Sequence, residues 1–123
     1  MRQEILNWLE QAKSDLKAAQ NSMQSKNFDW ACFQAQQAAE KSLKALYIRE
    51  YQELRKIHDV VLLAKKLACP SEILHACVAL SKIYIEARYP DAVQIPAKKF
   101  SASEAAECIQ NSGVVLQWVT KKL

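Results

Sequence analysis

Arg88 and Asp91 flank a Tyr89-Pro90 dipeptide, His58 and Asp59 stand together upstream of it, and Glu40, Lys41 and Lys44 crowd one earlier stretch. These side chains are the ones whose chemistry can add up to a site. An arginine grips a phosphate with paired N–H donors and stabilises charge developing on it. A histidine exchanges protons near neutral pH. Lys41 and Lys44, about one helical turn apart, offer a phosphate two cations, and Trp8, Trp30, Tyr84 and Tyr89 can stack on a base. Each also has a plainer role. Arg88 can pair with Asp91 across the turn or offset a helix C-terminal dipole, and Asp59 suits the first turn of a helix. His58 can serve as a cap or packing residue. Glu40 and Lys44 form an i,i+4 pair worth only a few tenths of a kcal/mol if exposed. Aromatic residues at helical spacing, Trp118 included, are core more often than ligand platforms.

Metal and redox chemistry find less support. Cys32, Cys69, Cys77 and Cys108 include no C-x-x-C arrangement, and His58 and His75 do not stand at zinc-finger spacing. No metal site and no cofactor are expected. The thiols read as small buried or half-buried hydrophobes in a reducing compartment. A crosslink from Cys108 to Cys69 or to Cys77 stays open.

The elements that must position these residues are helices. The sequence has one glycine and three prolines among 123 residues, too few turn-formers for a sandwich or barrel, and is rich in alanine, leucine, glutamine, lysine and glutamate. Ile5, Leu9, Ala12, Leu16, Ala19 and Met23 make the stripe of a first helix, from about Gln3 to Met23. Asn27 is a suitable N-cap for a second, from about Phe28 to Glu50, whose face of Phe28, Ala31, Ala35, Ala38 or Ala39, Ser42 and Leu46 is mostly small. Small residues allow close approach, so this helix is expected at the centre, where charges on Glu40 and Lys44 must face a cleft or find partners. A polar link from Tyr51 to Ile57 leads to a short helix from about His58 to Ala68. A fourth, opened by Pro70-Ser71, runs to about Arg88, with Ile73, Cys77, Leu80 and Tyr84 as its stripe. Pro90 stops it. Tyr89 to Phe100 has no helical stripe and reads as an ordered loop. Ser101 and Glu104 fit a capping box for the last helix, to about Lys122, in which close packing would account for Gly113. The expected fold is all-α: a single-domain antiparallel up-and-down bundle over residues 1–123, with four long helices and one short one.

Charge and hydropathy exclude little else. The net charge of +4 permits phosphate contact without demonstrating it. No apolar run approaches the roughly 18 residues that span a bilayer, and the start lacks the apolar core of a secretory signal. A cytoplasmic location without membrane contact is expected.

Three stretches in order carry a family pattern. They are AQQAAEKSLKAL over residues 35–46, His58-Asp59-Val60-Val61-Leu62-Leu63, and Ala87-Arg88-Tyr89-Pro90-Asp91-Ala92. With Ala12, Asp15, Leu16 and Ala19 on the first helix, they closely resemble the HEPN domain family over nearly the whole chain. The resemblance implies a helical bundle that dimerises and works near its dimer cleft. Some family members are metal-independent ribonucleases of toxin–antitoxin pairs, while others bind nucleotides or partner minimal nucleotidyltransferases. The ribonuclease branch carries an arginine followed, after four to six residues, by a histidine. Counting from Arg88, those positions hold Val93, Gln94 and Ile95, none of which transfers a proton. Arg55 and Arg49 stand at the wrong distance from His58, and His75 has no suitable arginine upstream. The expectation is therefore a non-catalytic HEPN homodimer that binds a nucleotide or other phosphate group, or partners a nucleotidyltransferase. Its expected ligand residues are Lys41, Lys44, His58, Arg88, Tyr89 and Asp91. The alternatives are a divergent ribonuclease acting on RNA through His58 or His75, and a purely architectural dimer.

Overall fold

The computed structural model describes residues 2–53 and 56–123, and no strand occurs among them. The helices are α1 (Arg2–Gln24), α2 (Phe28–Tyr51), α3 (Val60–Lys66), α4 (Ser71–Ile83), α5 (Pro96–Lys99) and α6 (Ala102–Lys122). The expected count lacked α5, a single turn inside the stretch read as a loop. Its four residues are too few to display a stripe, and Pro96 starts it because proline's fixed φ suits a first turn.

Helix α2 is the axis of the molecule, touching α1, α3, α4, α5 and α6. Ala31, Ala35, Ala38, Ala39 and Ala45 are all completely buried. Neighbouring helices approach across these small side chains, while Leu43, Leu46 and Ile48 fill the space between layers. The core continues through Leu63 of α3, Leu80 of α4 and Val115 and Val119 of α6.

The connection from α1 to α2 forms differently from expectation. Asn27 makes no side-chain cap. Its backbone N–H instead donates to the Ser22 carbonyl (2.9 Å), and that of Lys26 donates to Met23 (3.1 Å). With Lys26 at φ 63°, this is a Schellman closure of α1, so the link is governed by the helix that ends rather than the one that begins. The end of α3 repeats the device: Ala68 takes φ 52°, and the Ala68 and Cys69 amides donate to Lys65 and Ala64.

Asp59, and not His58, caps α3, its carboxylate accepting from the Val61 and Leu62 amides. The capping box of Ser101 and Glu104 is present at the start of α6. Gly113 has a different surrounding from the close packing expected, since a Cβ there would meet nothing within 4 Å. Regular helix in α4 stops at Ile83, short of Arg88. Beyond it, the amides of Tyr84 and Arg88 bond three residues back, to Ser81 and Ile85, so the chain tightens into turns before Pro90.

Candidate functional site

Polar residues recur every fourth position along the most buried helix. Gln36, Glu40 and Lys44 lie on one face of α2 and are 1%, 4% and 5% exposed. Lys44 Nζ lies 3.3 Å from Glu40 Oε2 and 5.2 Å from the centroid of the Trp8 ring, a cation–π contact from α1. The pair that would be worth little on a surface is here enclosed, where either charge alone would be costly.

The segment ahead of α3 lays His58 over this pair. Its Nδ1 is 3.2 Å from both Lys44 Nζ and Glu40 Oε2. One ring nitrogen thus faces a donor and an acceptor. Unprotonated, it accepts from Lys44; protonated, it donates to Glu40. In either state Nε2 has no protein partner among the described residues, and the ring lines a cleft of about 340 Å³ between the start of α3 and the end of α4. Gln36, Asp59, Lys82, Tyr84 and Ile85 complete much of its wall. Within the buried face, Glu40 Oε1 has no hydrogen-bond partner.

Arg88 joins this cleft through Tyr84. Its Nη1 donates to the Tyr84 hydroxyl at 2.8 Å. The guanidinium carbon also lies 5.3, 5.1 and 5.1 Å from the ring centroids of Phe33, Tyr84 and Tyr89, in cation–π contact. The Arg88–Asp91 pair, one of the two plainer roles open to Arg88, does not form. Asp91 folds back on its own turn, accepting from the Val93 and Gln94 amides, and its other oxygen receives Lys99 Nζ at 2.6 Å. These donors hold the Asp91 carboxyl well below the usual carboxylate range. Arg88 forms no ion pair among the described residues, leaving most of its donors for something else.

The structure therefore joins Lys44 to His58 and Arg88 to Tyr89, with Tyr84 linking the second pair to the cleft that His58 lines, and it gives Asp91 and Lys41 partners elsewhere. Lys41 Nζ pairs with Asp15 of α1 at 2.6 Å. With Lys44 held by Glu40, the two lysines do not stand free as twin phosphate cations. His75 is exposed on α4. Arg49 is spent on the Lys122 carbonyl, and Arg55 lies outside the described residues. Among the described residues no group of three His, Cys, Asp or Glu side chains could hold a metal, and no helix is long and apolar enough to cross a membrane.

Residues 5–123 match the HEPN domain. The chain belongs to the HEPN family. Solved structures agree with the assignment. The protein TT1696 from Thermus thermophilus is 34% identical, covers 98% of both chains and superposes with a TM-score of 0.91. ST0689, described as an archaeal HEPN homologue, is 30% identical over 97% of both chains, with a TM-score of 0.85. A HEPN domain protein from Thermotoga maritima, tm0613, is 25% identical over 94% of this chain and 95% of its own, with a TM-score of 0.76. No curated protein matches the chain. In this HEPN chain the positions that would carry the ribonuclease histidine, Val93 to Ile95, are exposed residues of the segment before α5.

Reading the HEPN pattern from sequence missed Gln36, Lys82 and Phe33. Gln36 carried a signal, its i,i+4 spacing from Glu40 on a helix already expected to be central. Phe33 and Lys82 carried none, because the place of Phe33 under Arg88 and of Lys82 at the cleft depends on how α2 and α4 cross.

Proposed function

We propose that this HEPN protein is a non-catalytic binding module that takes a nucleotide, through its phosphate, at the cleft beside His58. We further propose that it works as a homodimer and as the helical partner of a minimal nucleotidyltransferase in a toxin–antitoxin-like system in the cytoplasm. The observation that carries the reading is Arg88, a guanidinium braced by one tyrosine hydroxyl and three aromatic rings and left without an ion-pair partner among the described residues. The three rings and the hydroxyl restrict the side chain, so less freedom is lost when its donors meet phosphate oxygens. Lys82 supplies a second cation at the cleft wall, and His58 Nε2 a group that donates or accepts. Lys44 acts through His58, whose orientation it sets.

The test is thermal unfolding with a panel of nucleoside mono-, di- and triphosphates. A ligand at about one hundred times its Kd stabilises by about 2.7 kcal/mol, a rise of several degrees. The rise is expected for the wild type and is lost in Arg88→Ala. No rise with any nucleotide would reject the ligand reading. Light scattering of the purified chain tests the dimer, and co-purification with a nucleotidyltransferase encoded beside it tests the partnership.

A divergent ribonuclease is the second reading, favoured by the convergence of His58 and Arg88 on Tyr84 and its cleft. Incubation with total RNA in EDTA separates the two. RNA cleavage abolished by both His58→Ala and Arg88→Ala would replace binding with catalysis, whereas intact RNA retains binding.

A further inference from the structure

Two thiols that the candidate site does not use stand in contact across the core. Cys32 of α2 and Cys108 of α6 are far apart in sequence, yet their Sγ atoms are 3.0 Å apart. Both are free. A disulfide requires sulfurs about 2.05 Å apart, so bond formation asks for about 1 Å of approach. The two thiols differ in access. Cys32 is fully enclosed, while Cys108 is 7% exposed and lines a second cleft of about 280 Å³, with Leu80, Lys82, Glu104 and Glu107. The hydrogen bond from Cys108, together with burial, pushes the Cys32 thiol well above its usual range. A small oxidant therefore meets Cys108 first, with a resolving thiol already behind it.

The geometry points to an oxidative modification site: Cys108 is the thiol that reacts with a small hydroperoxide, and Cys32 resolves it into an α2–α6 disulfide. In the first step one peroxide oxygen passes to Cys108 Sγ, giving a sulfenic acid and one water from hydrogen peroxide. Cys32 Sγ then attacks that sulfur. The sulfenic hydroxyl leaves with the Cys32 proton as a second water, and the S–S bond closes. Two thiols lose two electrons, and the peroxide O–O bond takes them. The crosslink fastens the central helix to the last one immediately beside Phe33, the ring beneath Arg88. Cys69 and Cys77 are a control within the same molecule, since Cys69 is half-buried, Cys77 is enclosed, and neither lines that cleft.

The full chain, natively folded, is treated with hydrogen peroxide, unfolded in the presence of an alkylating reagent and mapped without reduction. The expected result is a Cys32–Cys108 linked peptide, a mass lower by two hydrogens and no retained oxygen. Crosslinking a loop of this length should raise Tm by roughly 10 °C or more, reversed by dithiothreitol. A Cys69→Ser/Cys77→Ser variant should give the same link, and Cys32→Ala should stop at a sulfenic acid trapped by dimedone. If either variant fails to fold, the wild-type peptide map decides alone. Recovery of Cys32 and Cys108 as alkylated thiols after treatment would overturn the proposal. So would Cys108 sulfinic acid beside an unreacted Cys32, or links confined to Cys69 and Cys77.

Discussion

At the scale of single residues, the decisive feature is that Glu40 and Lys44 are enclosed together. Both side chains are only 6% exposed, so their attraction is poorly screened and their desolvation already incurred. Glu40→Gln strands a buried ammonium and is expected to lower stability by about 3 kcal/mol in urea unfolding. Pairing Glu40→Gln with Lys44→Met should cost clearly less than the sum of the two single changes. Additivity would mean the charges do not interact. Asp91 contributes in a way that depends on pH. Its folded pKa is depressed by Lys99 and the turn amides, so its stabilisation is full above the unfolded carboxylate value near 4 and lost as pH falls below it. The Tm gap between wild type and Asp91→Asn should therefore narrow from pH 6 to pH 2, and a constant gap would remove the carboxylate from the account. From sequence, pairing with Arg88 was one open role for Asp91, because the two flank one turn. Lys99 wins it because the short helix α5 turns the chain back, and that turn leaves no periodic trace.

Among the elements, the long helices were legible because their burial is periodic. The α1 stripe and the small face of α2 emerge much as the spacing demands, and Ser101-x-x-Glu104 states its own geometry. What failed was the chemistry of ends. Asn27 has the right side chain for a cap, but its backbone is already committed to closing α1, and Lys26 and Ala68 accept left-handed conformations that their residue types do not advertise. Ser101→Ala and Asp59→Ala are each expected to cost about 1 kcal/mol in chemical denaturation. Asn27→Ala, which deletes no cap bond, should cost only a few tenths. An equal loss at all three would show that the observed caps do not decide these helix starts. Gly113→Ala should stabilise by up to about 1 kcal/mol, since the site is helical and open to a methyl group; a fall in Tm would contradict that openness.

Considered as a whole molecule, the bundle was legible because a chain that is half apolar and rich in strong helix formers has few other ways to build a core, and the family was legible in the order of its three motif stretches. The cleft was not, because Gln36, Tyr84 and Lys82 meet only where helices cross. One consequence follows from the enclosure of α2. A helix touched by every other helix cannot release its amides to solvent while the rest stays folded. Its deuterium uptake should run at the rate set by global unfolding, and denaturant should accelerate it with the full equilibrium slope. The turns after Ile83 and the segment leading to α5 have no such guard. They should take up deuterium orders of magnitude sooner, with little denaturant dependence. The protein would then keep two clocks: a slow one in its axis, and a fast one at the end of the bundle where Arg88 stands.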